Sequence, residues 1–103
     1  MAIVAVSITP IGTGQTSVSR YVAAAQRVLR DFPDLRFRLD PMFTTIEGEL
    51  GRIFAAIAAM HEALVALGAQ RLSTVIKVDD RRDRPTSMEA KVEAVRALLE
   101  DGS

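Results

Sequence analysis

The period of the hydrophobic pattern changes along this chain in a set order, from two to about 3.6 and back, and that order restricts the fold more than any single motif does. Ile3 to Thr9 is rich in Val and Ile and stops at Pro10, which reads as a strand, with Gly12 and Gly14 loosening the segment after it. Thr16 or Ser17 is placed to cap a helix whose stripe is Val18, Tyr21, Val22, Ala25, Val28, Leu29 and Phe32, closed by Pro33. Leu35, Phe37 and Leu39 then alternate with Arg36, Arg38 and Asp40, and after Pro41 a second extended run from Met42 to Glu47 leads to Gly48, so the pair reads as a hairpin. From Glu49 to Leu67, Leu50, Ile53, Phe54, Ile57, Met60, Leu64 and Leu67 trace a long amphipathic helix, with Gly68 where a left-handed C-cap belongs. Leu72 to Val78 alternates again, the charged run Asp79 to Arg84 follows as a loop, and Thr86-Ser87-Met88-Glu89 spells a capping box for a last helix that frays at Gly102.

The order β-α-β-β-α-β plus a C-terminal helix predicts an α+β, ferredoxin-like domain over residues 1–103 with a four-stranded antiparallel sheet. Right-handed crossovers place both long helices on one face. Strand parity sends Val4, Val6, Ile8, Phe37, Leu39, Ile46, Ile76 and Val78 to that face. It collects Ile3, Ala5, Ser7, Thr9, Arg36, Arg38, Phe43, Thr45, Glu47, Val75 and Lys77 on the other. Ile3, Phe43 and Val75 exposed on an uncovered face imply self-association through it, as a dimer or tetramer.

Composition narrows the function. Thirteen basic residues balance thirteen acidic ones, with one His, one Tyr and no Trp, which argues against nucleic-acid partners: these require a basic face and usually stacking aromatics. Cys is absent, so disulfides and cysteine-based zinc or redox sites are excluded, and a lone His61 cannot supply a His-rich metal or hydrolytic set. The beginning MAIVAVSITP has no basic stretch before an apolar core of signal-peptide length, and Arg52 with His61-Glu62 interrupts the longest apolar run, so no membrane association and a cytoplasmic location are expected. Gly12-Thr13-Gly14 before a capped helix could hold an anion on backbone N–H groups, but it lacks the Lys and spacing of a nucleotide-binding P-loop.

Four blocks resemble a known family: Ser7-Ile8-Thr9-Pro10-Ile11-Gly12, Pro41 through Glu49, His61-Glu62-Ala63, and Ile76 through Asp83. In these the chain is similar, over essentially its whole length, to the small thiamine-binding proteins. The resemblance implies a ferredoxin-like fold, assembly through sheets, and binding of thiamine or its hydroxymethylpyrimidine half. Phe43 stands where many members carry Gly, and Thr45 where an aliphatic residue is common. On this reading Glu47 is the candidate to accept from a ring amino group of an aminopyrimidine, or to share a proton with a ring nitrogen. Its alternative is a charge favouring the positive end of the following helix. Ser7, Thr9 and Thr45 add hydroxyls on the same face, and Thr44 matches the family's Thr with core parity. Lys77 is placed to pair with Glu47 or meet a phosphorylated ligand, its alternative an intersubunit salt bridge.

His61 falls on the stripe of Ile57 and Leu64 and is expected to be a hydrogen-bonded packing residue. The mixed charges Asp79 to Asp83 read as a solvated loop. The sequence therefore predicts a non-enzymatic module without a cofactor, binding a thiamine-like small molecule as a homo-oligomer. The alternatives are a structural or regulatory self-assembling protein with no small ligand, and an enzyme acting on small ring compounds, since fold alone does not separate these.

Overall fold

The structure, a computed structural model, describes residues 1–101. Its elements run β1 (Ala2–Pro10), α1 (Ser19–Leu29), β2 (Arg36–Leu39), β3 (Thr44–Gly48), α2 (Leu50–Ala66), β4 (Leu72–Asp80) and α3 (Met88–Glu100). The sheet is antiparallel throughout in the order β2-β3-β1-β4, so β1 is a central strand bonded on both sides. Val4 lies between Ile46 and Val78, and Val6 between Thr44 and Ile76. This is the ferredoxin-like arrangement expected, with α1 and α2 packed together over the face that carries Val4, Val6 and Ile46. Small side chains at Ala24, Ala25 and Ala56 bring the helix backbones close, and Leu29, Ile53, Ile57, Met60 and Leu64 fill the layer between.

Helix termini fasten these elements to each other. The Glu49 carboxylate accepts from the Gly51 and Arg52 N–H groups, each at 2.9 Å, and so caps α2. Arg52 turns back to Asp34 at 2.9 and 3.0 Å and lies over the Phe32 ring at 4.8 Å, tying the α1–β2 connection to the start of α2. At the other end Gly68 adopts φ +103; its N–H reaches the Val65 carbonyl at 2.9 Å and the Ala69 N–H reaches that of Leu64 at 3.2 Å, a paired closure that buries Ala69 and Leu64.

Several boundaries and faces differ from expectation for local reasons. Thr16 and Ser17 do not cap α1: Gly12 and Gly14 at positive φ wind the preceding segment, Thr13 bonds Gln15, and the helix begins after Val18 with no side-chain cap. The extended run expected from Met42 starts at Thr44, because the Asp40 N–H reaches the Phe43 carbonyl at 2.9 Å and makes Pro41-Met42 a two-residue turn. β4 continues through Asp79 and Asp80, which pair with Ile3 and Ala2 and are not loop. Ser87, one residue after the expected Thr86, caps α3 by accepting from Ala90 at 3.0 Å, and Glu89 bonds Arg36 and does not close a capping box. The fraying expected at Gly102 lies outside the described residues.

Parity was correct in direction, but the helices cover only the middle of the sheet. Phe37, Leu39, Ile76 and Val78 lie on the helix-facing side of the edge strands and stay exposed. Of the apolar trio assigned to the open face only Val75 is exposed there, at 57%. Ile3 is 8% exposed, because its neighbours Glu47 and Asp79 both reach the first turn of α3 across it. Phe43 belongs to the turn and faces a cavity. Beyond that first turn α3 extends from the body, leaving Val92, Val95, Leu98 and Leu99 exposed. The molecule is accordingly elongated, 49 × 29 × 19 Å with a radius of gyration of 15.5 Å, against about 13 Å for a globular chain of this size.

Because Gly68 holds a left-handed conformation, Gly68→Ala is expected to lower stability by about 1–2 kcal/mol without altering the sheet. Urea unfolding measures this as a lower midpoint at unchanged slope.

Candidate functional site

A cavity of about 690 Å³ opens between α1 and the loop joining β2 to β3. It is lined by Val6, Ser7 and Ile8 of β1, Val18 and the α1 residues Ser19, Val22 and Gln26, Met60 of α2, and Leu39 through Thr44; by strand parity Val6 and Ile8 present side chains to it and Ser7 its backbone. Most of this lining is apolar, with Phe43 and Met42 at the hairpin end. One polar pair is set inside: Gln26 Nε2 donates to Thr44 Oγ1 at 2.8 Å, and Thr44 is buried. Asp40 stands at the rim, accepting from Arg38 at 3.2 Å and from the Thr45 hydroxyl at 3.2 Å. Size, apolar walls and a few converging polar groups are the features of a small-molecule site.

The opposite face holds a different cluster. Glu47 is 4% exposed, and its carboxylate takes the Arg36 guanidinium at 2.7 Å on one oxygen and the Met88 backbone N–H at 2.9 Å on the other. Arg36 also bonds Glu89, and Lys91 bonds Asp79, so strands β2, β3 and β4 all hold the first turn of α3. The Arg36 hydrogen bond keeps the Glu89 carboxyl below the usual range, and the Lys91 ammonium does the same to Asp79. In chemical terms this cluster is a fastening: an anion at a helix N-terminus, with its charge balanced by one arginine.

The six sequence-derived site residues therefore divide. Thr44 lines the cavity with its side chain, while Ser7 borders it at the backbone and turns its hydroxyl to the open face. Thr45 lies on the open side of β3 and touches the cavity only through Asp40. Thr9 is exposed at the far end of β1, opposite Ser73. Glu47 is enclosed beneath α3, and Lys77 is exposed on β4, with the whole of β1 between it and the strand that carries Glu47. His61 is half-buried and its Nε2 lies 2.8 Å from Thr74 Oγ1, joining α2 to β4 as a packing histidine does. Gln26, Asp40, Met42 and Met60 are cavity residues that the sequence reading did not select. For Gln26 a signal existed: it falls four residues after Val22 and three before Leu29, a polar side chain on an otherwise apolar stripe.

Fold and cavity together define a ferredoxin-like α+β domain with a ligand-sized cavity between helix and hairpin. A family described as thiamine-binding protein matches residues 4–96. UPF0045 protein YqgV of Bacillus subtilis is 47% identical over 103 residues, covering 97% of this chain and 99% of its own, and a UPF0045 protein of Staphylococcus xylosus is 42% identical over 105 residues, covering 99% and 98%. Among solved structures, protein MJ1052 of Methanocaldococcus jannaschii superposes with a TM-score of 0.83 at 33% identity, over 92% of this chain and 95% of its own. A Thermotoga maritima protein, provisionally described as acting in thiamine biosynthesis or salvage, has the same fold, with a TM-score of 0.77 at 20% identity over 92% and 98% of the two chains. The chain belongs to the thiamine-binding protein family. Among the described residues no helix is long and apolar enough to cross a membrane.

Two predictions test the fastening. Glu47→Gln removes one charge-assisted partner of α3 and is expected to cost about 1.5–3 kcal/mol, read as a melting temperature lowered by about 6–24 °C. Glu89 and Asp79 have lowered folded-state values, so their contribution is complete above the ordinary carboxylate values of 4.5 and 3.8 and is lost as pH falls through the lowered ones. Amide exchange at α3 is expected to accelerate, relative to the sheet, on acidification through that window; uniform protection of α3 down to global unfolding would refute the role.

Proposed function

We propose that this protein binds thiamine or its hydroxymethylpyrimidine half, without transforming it, in the cavity between α1 and the β2–β3 hairpin. The carrying observation is that cavity, apolar enough for a flat ring and furnished with the part-buried Gln26–Thr44 pair, in a chain of the thiamine-binding family. The Thermotoga protein's description points to the same ligand chemistry. Phe43, Met42 and Val22 supply contact for ring faces and edges. Binding without turnover fits the polar groups present. Among the described residues no hydrogen bond couples Thr44 to an acid or base, and Asp40 is already engaged by Arg38 and Thr45. Glu47 and Lys77 lie outside this site, the first as the anchor of α3 and the second as a surface charge.

The binding form is a dimer or tetramer. β4 presents nine residues with one unpaired edge, and it exposes Val75, Ile76 and Val78, while α3 carries Val92, Val95, Leu98 and Leu99 without a partner in the chain. Long apolar edges and stripes of this kind are covered in stable assemblies.

Calorimetry with thiamine, its phosphates and hydroxymethylpyrimidine is expected to give saturable micromolar binding with no change in the ligand recovered. Silence across that set would favour the purely self-assembling alternative, and a modified product would favour an enzyme. Light scattering is expected to return a multiple of the 11.2 kDa chain mass, reduced by Val75→Glu or Val95→Glu. A monomeric mass at high micromolar concentration would overturn the assembly.

A further inference from the structure

The start of α1 is built differently from the starts of the other two helices. Glu49 caps α2 by accepting from the N–H of Arg52, and Ser87 caps α3 by accepting from that of Ala90, in both cases three residues on. The equivalent pair at α1 is Ser17 and the Arg20 N–H, and it is not made: Val18 stands between them at φ −119 and ψ 11, and the helix begins at Ser19 with no side-chain cap. Among the described residues the N–H groups of Ser19 and Arg20 have no partner, and neither do the exposed hydroxyls of Thr16 and Ser17. Residues 12–17 bond only among themselves, Thr13 with Gln15, and the Ile11 N–H ahead of them is anchored on the Arg71 carbonyl at 2.9 Å. Gly12 and Gly14 sit at φ +77 and +76 with open space where a Cβ would stand, so no packing holds the segment at these points. A rotation of Val18 by about 55° in each backbone angle brings it to helical values, and Ser17 then occupies the position from which serine caps a helix.

We infer that residues 11–18 form a strap that closes on the cavity when it is occupied, Val18 winding into α1 and Ser17 becoming its cap. The inference rests on the small-molecule reading above and adds to it how the ligand is retained. Val18 and Ser19 are the link, because both border the cavity. Winding Val18 repositions the apolar side chain at that edge together with the strap that precedes it. A bound ring gains apolar cover from this turn and the empty cavity does not, which supplies the differential interaction that a ligand-driven closure needs. In the free protein the cap's hydrogen bond is offset by the entropy lost in ordering a segment with two glycines, and apolar burial against the ligand tips that balance. Gly12 and Gly14 absorb the movement, since glycine passes between left- and right-handed conformations without a Cβ clash.

The test combines amide exchange, calorimetry and thermal melts on the full chain, with thiamine as the probe. Exchange at Ser19 and Arg20 is expected to be fast in the free protein and slowed at saturating thiamine. Ser17→Ala is expected to leave the unliganded melting temperature unchanged and to weaken thiamine binding by about 2- to 30-fold, the worth of one cap. In its saturated complex Ser19 and Arg20 are expected to exchange as fast as in the free protein. Ser17→Asn, whose side chain caps as well as serine does, is expected to keep wild-type affinity. A lower melting temperature of unliganded Ser17→Ala would show the cap already in place and overturn the inference. Equal thiamine affinity of Ser17→Ala and wild type would overturn it too, as would slowed exchange retained in the saturated variant, the mark of direct cover by the ligand. Each of these results leaves the binding function standing. No response of wild type to thiamine or hydroxymethylpyrimidine would overturn both.

Discussion

The register of β1 is the constraint on which the rest of this molecule depends. Every residue from Ala2 to Pro10 pairs with β4, and five of them pair with β3 as well, so a single strand sets the phase of the whole sheet. With side chains alternating at period two, a slip of one residue would put Ile3, Ala5 and Ser7 under the helices and turn Val4 and Val6 outward. In the observed register Val4 and Val6 meet the helix layer, Val6 and Ile8 border the cavity, and Ile3 lies under the first turn of α3.

From that register the two faces acquire different chemistry. Beneath α1 and α2 the sheet is apolar except at the hairpin end, where the cavity holds the Gln26–Thr44 pair. On the other face, carboxylates of β3 and β4 together with Arg36 of β2 grip the first turn of α3 and leave its remaining length unsupported. A buried carboxylate must be paired, because an unpaired charge away from water costs several kcal/mol. Glu47 meets that requirement within the chain, so its burial is accounted for by structure alone. The cavity's Thr44 and Gln26, by contrast, satisfy each other only in part.

Much of the architecture was legible in the sequence because the periodicities are long and clean. The stripes of α1 and α2, the alternation in β1 and β4 and the left-handed glycine after α2 all lie where the pattern puts them, and the family resemblance carried over nearly the whole chain. Boundaries were less legible where capping candidates were adjacent. Thr16, Ser17, Thr86 and Ser87 have similar capping chemistry, and only the path of the neighbouring turn selects among them. The site was the least legible part. Parity placed Glu47, Thr45, Thr9 and Lys77 on one face, but parity has no information on whether a face is later covered by a helix or which residues a turn brings back over the sheet.

By itself, the sequence determined the element order, the α+β class, which side of each strand faces the helices, and the absence of any cysteine chemistry, since these follow from local periodicity and composition. Tertiary structure decided what those faces do. It closed α3 over Ile3 and Glu47, made Pro41-Met42 a turn that carries Phe43 toward α1, and brought Gln26 to Thr44 across 18 residues of chain. The reason is physical: whether a polar side chain is a partner, a fastening or a binding group depends on what approaches it from distant parts of the chain, and a pattern of near neighbours does not contain that distance.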